Sequence, residues 1–166
     1  MSARRSAAAL FATAAAVFLV DRLSKILVEH ALAGRPPVDV IPGVLSLTFT
    51  TNSGGAFSVG EHAPWLFAAA SIAVSVVIAA TAFRPRAGLP SVALGLVLGG
   101  ALGNLTDRLV RGPAVGGRVV DFIDLHVWPV FNLADAAIVI GALLLAWLSH
   151  RGGRRKEKEV EAAPHG

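Results

Sequence analysis

Four apolar stretches, each long enough to cross a lipid bilayer, divide this chain: Ala7–Val28, Pro64–Phe83, Leu89–Val110 and Val130–Leu148. A helix needs about 20 mostly apolar residues to span the hydrocarbon core. Inside that core every backbone polar group must find its partner within the segment or in a closed barrel. Uninterrupted apolar runs of this length therefore predict an α-helical membrane protein, a four-transmembrane-helix bundle forming one domain over residues 1–149. Composition agrees: 54% of residues are hydrophobic and 16% charged, too few polar groups to cover a water-soluble domain of 166 residues.

The charges lie between the apolar runs, and their distribution predicts an orientation. Arg4, Arg5, Arg84, Arg86 and the tail "RGGRRKEKE" hold nine of the fifteen Lys and Arg residues and would face one side. By the positive-inside bias that side is the cytoplasm, with both termini there. The polar tail from residue 150 to 166 is expected to be disordered. The net charge of +4 reports the same bias; without a basic stripe interleaved with aromatics, no nucleic acid is expected as a partner. The start, "MSARRSAAALFATAAAVFLV", resembles a secretory signal. However, Asp21, Arg22, Lys25 and Glu29 separate its apolar run from the small residues Ala31–Ala33, so an uncleaved first span is expected. The absence of cysteine excludes disulfides and thiolate chemistry. His30, His62 and His126 lack metal-ligand spacing, and no metal or other cofactor is expected.

Between the first two spans, "GVLSLTFTTNSGGAF" alternates Leu45, Leu47 and Phe49 with Ser46, Thr48 and Thr50, the period of a half-buried strand. "NSGG" reads as a turn. A small sheet at the outer membrane surface is the expectation.

Polar residues inside the spans collect at one depth. Asp21 and Lys25 stand at i and i+4, Asn104, Asp107 and Arg108 at i, i+3 and i+4, and Asn132 and Asp135 at i and i+3. Residues at those spacings share a helix face, and each set lies near the outer end of its span. Asp21 and Lys25 read as an interfacial ion pair, with Lys25 snorkelling outward. Asp107 and Arg108 read as a structural pair with Asn104, Asn132 as a cap, and Asn52 as a turn residue. Gly95, Gly99 and Gly103 recur every four residues, a pattern that lets helices approach closely in lipid; Asp107 continues that row. Asp135 is harder to explain as structure, because a carboxylate at a span's centre costs about 2.5–3.5 kcal/mol to insert and less near an end. Its candidate partners are Asp121 and Asp124. Two carboxylates in contact cannot both ionise easily, so one serves as acid while the other serves as base on a water molecule.

In chain order, "DRLSK" (Asp21–Lys25), "TNSGGAFS" (Thr51–Ser58), "GNLTDRL" (Gly103–Leu109), "VVDF" (Val119–Phe122) and "FNLAD" (Phe131–Asp135) resemble the motifs of the bacterial lipoprotein signal peptidase family, signal peptidase II. Gly55 departs mildly, standing where the family more often has Ala or another small apolar residue. The resemblance implies an intramembrane aspartyl endopeptidase of the bacterial inner membrane, with its active site near the extracytoplasmic face. It would cut prolipoproteins on the amino side of a diacylglyceryl-modified cysteine. The catalytic pair it implies is Asp121 and Asp135, with Asn52, Asn104, Asp107, Arg108 and Asn132 supporting and Asp21 and Lys25 structural. It further implies a short helical segment beside the small sheet on the extracytoplasmic side. The partners would be lipid-modified prolipoproteins and membrane lipids, and the enzyme would work as a monomer.

Overall fold

The computed structural model describes residues 2–54, 64–86, 88–113 and 115–161. The chain runs through α1 (Ala3–Leu32), β1 (Val38–Ile41), β2 (Leu45–Asn52), α2 (Pro64–Thr81), α3 (Gly88–Val110), β3 (Val119–Asp124) and α4 (Leu133–Glu161). Among the described residues, three stretches of helix are long and apolar enough to cross a membrane: Ala3–Leu32, Gly88–Val110 and Leu133–Arg154. The fourth expected span is a shorter apolar helix of 18 residues, α2. Helix α4 does not stop at Leu148; it continues to Glu161 through the basic segment expected to be disordered. Residues 55–58 of the TNSGGAFS motif lie outside the described residues, and no short outer helix occurs among those described.

The exterior carries the apolar side chains. Leu19, Leu23 and Leu27 of α1, Val76 and Val77 of α2, and Val139 and Leu143 of α4 are all exposed. Lys25, Asp21, Asp107 and Asn132 are fully buried. Water would reverse this arrangement, whereas lipid outside and a polar network inside produce it.

Helix α3 is the centre, packing against α1, α2 and α4. Its glycine row makes the closest approach possible. A Cβ at Gly95 would lie 2.6 Å from the Leu10 carbonyl oxygen, and one at Gly99 would lie 2.5 Å from that of Ala14. One further step of four, a Cβ at Gly103 would meet the Asp21 carboxylate at 2.6 Å. The opposite face of α3 approaches α4, with Gly100 against Ala134 and Ile138. Leu10, Ala14, Ile78, Ala82 and Leu98 then close an apolar core between α1, α2 and α3. The α2–α3 connection is tied to the first turn of α1: the Ser6 hydroxyl donates to the Arg86 carbonyl oxygen and accepts from its N–H, both at 3.1 Å.

The three strands form one antiparallel sheet in the order β1-β2-β3. Leu45, Leu47 and Phe49 are half-buried as the alternation predicts, yet the most buried side chain of β2 is Ser46. Its hydroxyl donates to Asp39 at 2.6 Å and meets His126 Nε2 at 3.0 Å, so burial leaves it satisfied. Thr50 pairs with Asp121 and Asn52 with Val119, and an extra β2 residue between Leu47 and Thr50 breaks the register. The sheet thereby holds Asp121 beside the last turns of α3 and the first turn of α4.

Gly99→Val forces the α1 and α3 backbones apart and should destabilise the protein by about 1–3 kcal/mol. Gly152→Val, where a Cβ meets nothing within 4 Å, should leave stability unchanged. Thermal unfolding of both variants in detergent checks the contrast.

Candidate active site

Helix α4 begins with a capping box. Asn132 precedes its first residue, and the Asn132 Oδ1 accepts from the Asp135 N–H at 2.9 Å. The Asp135 carboxylate reaches back to the Asn132 N–H at 3.4 Å. This reciprocal arrangement satisfies two donors that a helix start leaves open. A third donor, the Ala134 N–H, is taken from another helix by the Asp21 Oδ1 of α1 at 3.0 Å. Asp135 therefore sits in the first turn of the span, at the positive end of the helix dipole, where a carboxylate is favoured.

The capping residue also holds the second acid. With its oxygen committed to the Asp135 N–H, the Asn132 side chain can present only its amide hydrogens to Asp121, and Nδ2 donates to Asp121 Oδ1 at 2.6 Å. Asn52 does the same from the sheet. Its Oδ1 accepts from the Gly54 N–H at 2.8 Å, and its side chain hydrogen-bonds Asp121. The register explains the contact, because Asn52 lies two residues from Thr50, the partner of Asp121, and so shares its face. Asp124 lies three residues further on, an odd step that turns it to the other face. There it accepts from the His126 N–H at 2.7 Å, and it does not line the cavity described below. Of the two candidates left open by spacing, the fold brings Asp121 to Asp135.

Asn104 is the third asparagine. Its Nδ2 donates to Asp135 Oδ1 at 2.7 Å, and its Oδ1 accepts from Lys25 Nζ at 3.0 Å. Lys25 does not snorkel to the surface as the sequence predicts. It is fully buried, and its three N–H groups meet Asp21 at 2.8 Å, Asp107 at 3.0 Å and Asn104. A charge-assisted partner for every proton explains why burial wins over escape to water. Asp107 likewise pairs with Lys25, Arg22 and Arg111, and not with the adjacent Arg108 as the sequence suggests. Successive helical residues point about 100° apart, so Arg108 turns instead toward the acids. Asp107 also accepts from the Val120 N–H at 3.3 Å, beside Asp121.

Both acids line a cavity of about 410 Å³, together with Asn52, Asn104 and Arg108. Its remaining wall is mainly apolar and includes Phe67 and Val74 of α2 and Ile138 of α4. Arg108 is 4% exposed and donates to the Asn104 and Gly54 carbonyl oxygens, both at 3.3 Å. Its Nε has no hydrogen-bond partner among the described residues. Burial and the neighbouring Asp135 charge push Asp121 up to about 7, against the lowering effect of the two asparagine hydrogen bonds. One proton is thereby held in the pair near neutral pH, which is what acid–base work on a water molecule requires. Among the described residues no group of three potential metal ligands occurs.

Sequence reasoning missed the outer part of the ion cluster. Glu29 takes both arms of Arg111, at 2.9 and 2.7 Å. The signal was present: Asp21, Lys25 and Glu29 continue one face at steps of four, as do Asp107 and Arg111. The six charged residues, Asp21, Asp107 and Glu29 with Arg22, Lys25 and Arg111, balance to zero.

Comparison with known proteins identifies similar chains. A family model described as signal peptidase (SPase) II matches residues 13–151. A lipoprotein signal peptidase of Streptomyces coelicolor is 48% identical over 151 residues, covering 90% of this chain and 74% of the relative. One of Pelotomaculum thermopropionicum is 44% identical over 140 residues, covering 83% and 89%. A bacterial membrane enzyme, solved by the in meso method at 2.3 Å resolution, superposes with a TM-score of 0.77 at 26% identity, covering 89% of this chain and 90% of that one. By the extent of these matches, and with its apolar helices and small antiparallel sheet, the chain belongs to the signal peptidase II family.

Proposed function

We propose that this protein is an aspartyl endopeptidase that removes the signal peptide from prolipoproteins, with Asp121 and Asp135 as its catalytic pair. The observation that carries the reading is the meeting of these two acids on one cavity wall, joined through Asn132, with Asp121 shifted to about 7. In the proposed reaction the ionised acid takes a proton from water as the water oxygen bonds to the scissile carbonyl carbon. The protonated acid gives its proton to the carbonyl oxygen. The tetrahedral intermediate then collapses: the C–N bond breaks, the leaving nitrogen takes the proton gained from water, and the carbonyl oxygen returns its proton to the other acid. One water is consumed and the pair is restored. Arg108, with Nε unpartnered among the described residues, faces the cavity where a substrate carbonyl would lie.

The cavity supports the substrate class. Its polar end holds the acids, and its wall of Phe67, Val74, Val97, Ile138 and Val139 offers apolar contact to a lipid-bearing chain beside them. Each buried methylene contributes about 0.8 kcal/mol. A diacylglyceryl group on the cysteine would thus supply binding that an unmodified precursor lacks, with cleavage on the amino side of that cysteine.

Connectivity supports α2 as a fourth crossing. The chain leaves the sheet before α2 and reaches the first turn of α1, at the other end of the bundle, immediately after it. Eighteen helical residues rise about 27 Å, close to the hydrocarbon thickness of about 30 Å. Arg4, Arg5, Arg84 and Arg86 then share one end with Arg151 and Arg154. The positive-inside bias supports a cytoplasmic position for this end, and with it acids near the extracytoplasmic face of the inner membrane. One chain supplies both acids, so a monomer is sufficient.

The reading is checked by incubating the purified protein with a lipid-modified precursor and with its unmodified counterpart; only the modified one should be cleaved. Asp121→Asn and Asp135→Asn should each lower cleavage by about 10³-fold while the protein still inserts and folds. Normal turnover by either variant ends the assignment. Asp124→Asn, altering the face away from the cavity, should keep most of the activity. The pH profile should carry a descending alkaline limb near 7. A raised acid is protonated below its shifted value and ionised above it, so the proton donor is lost as pH rises through about 7. The observed value belongs to the pair; an alkaline limb absent up to pH 9 contradicts this use of Asp121.

A further inference from the structure

Each of the three asparagines that touch the acids has its oxygen committed to a donor. For Asn52 and Asn132 that donor is a backbone N–H. For Asn104 it is the ammonium of Lys25, 3.0 Å away. An ammonium has no acceptor, so the Asn104 atom facing it must be the oxygen, and the atom facing Asp135 must be the amide nitrogen. Rotating the amide by half a turn would put Nδ2 against Nζ and Oδ1 against the carboxylate, two repulsive contacts in a buried site. Lys25 is itself held by Asp21 at 2.8 Å and Asp107 at 3.0 Å.

We infer that Lys25 is a positioning residue for the reaction: by locking the Asn104 amide it keeps an N–H donor on Asp135 and so favours Asp135 as the base of the pair. This rests on the peptidase reading above. The groups facing Asp135 fit the assignment. Lys25 of α1 and Arg108 of α3 are cations acting on both acids, Asn104 Nδ2 and the Asn132 N–H donate to Asp135, and Asp121 of β3 is the neighbouring acid. A donor to the charged form favours that form. Asp107 and Asp21 are spent on Lys25, on Arg22 and Arg111, on the Val120 N–H and on the Ala134 N–H.

The test is the pH profile of kcat for the purified full chain in lipid nanodiscs, with the lipid-modified precursor as substrate. The variants are Asn104→Ala, Lys25→Met with Asp21→Asn to keep the buried charge balanced, and all three substitutions together. Losing the donor makes Asp135 harder to ionise. The acid limb should therefore move up by about one pH unit in Asn104→Ala and by a similar amount in the Lys25 variant. KM should change little. If Lys25 acts through Asn104, the combination should move the limb no further than Asn104→Ala alone. Shifts that add, or a kcat lowered equally at every pH with the limb unmoved, overturn the inference and leave Lys25 a structural ion. Should the Lys25 variant not fold, Asn104→Ala still decides, because it removes one neutral acceptor of Lys25 and keeps all six charges of the cluster; an unmoved limb there overturns the proposal. Wild-type protein that fails to cleave the modified precursor would instead overturn the peptidase reading itself.

Discussion

An amide can act as a reliable donor only when its oxygen is occupied, and the organisation around Asp121 and Asp135 depends on that constraint. Asn52, Asn104 and Asn132 come from a strand, a helix interior and a helix cap, yet each has its oxygen bound to a donor and its N–H groups on an acid. In a dry site such bonds are stronger than in water, and an unpaired group costs correspondingly more. The pair is thus surrounded by neutral donors with fixed direction, which leave room for a single proton without supplying a neutralising salt bridge to each carboxylate.

The charges are kept one layer away. Lys25, Asp21 and Asp107 are fully buried, and Arg22, Arg111 and Glu29 complete a cluster of balanced charge. Buried ions are expensive unless paired and hydrogen-bonded, and removing one partner costs about 3–5 kcal/mol. Here the same carboxylates also bind backbone: Asp21 holds the start of α4 and Asp107 holds β3 beside Asp121. The cluster therefore fixes the two segments that carry the acids relative to α1 and α3.

Much of this was legible in the chain. Apolar length gave the helices, the three- and four-residue spacings of Asp21/Lys25, Asn104/Asp107 and Asn132/Asp135 gave shared faces at a common depth, and the Gly95–Gly99–Gly103 row gave the close approach of α3 to a neighbour. What spacing could not resolve was direction. Lys25 near a helix end reads as snorkelling, because nothing local reveals that Asp107 and Asn104, some 80 residues on, supply enough acceptors to keep it inside. Asp107 beside Arg108 reads as a pair, although consecutive helical positions diverge and send one to the ion cluster and the other to the cavity. Asp121 and Asp124 were indistinguishable until the sheet register set their faces. The helical continuation of α4 past Leu148 went unread, since a charged sequence without an apolar face gives no packing signal.

The bond from Asp21 to the Ala134 N–H joins residues 113 positions apart and closes the bundle at the first turn of α4. Until the first helix made during synthesis lies against the last, the fourth helix lacks part of its cap, and Asn104 and Asn132 have no common frame in which to gather the acids. The proposed hydrolytic competence would therefore belong to the finished bundle alone: in a nascent or mispacked chain both carboxylates are present without the frame that brings them to one cavity.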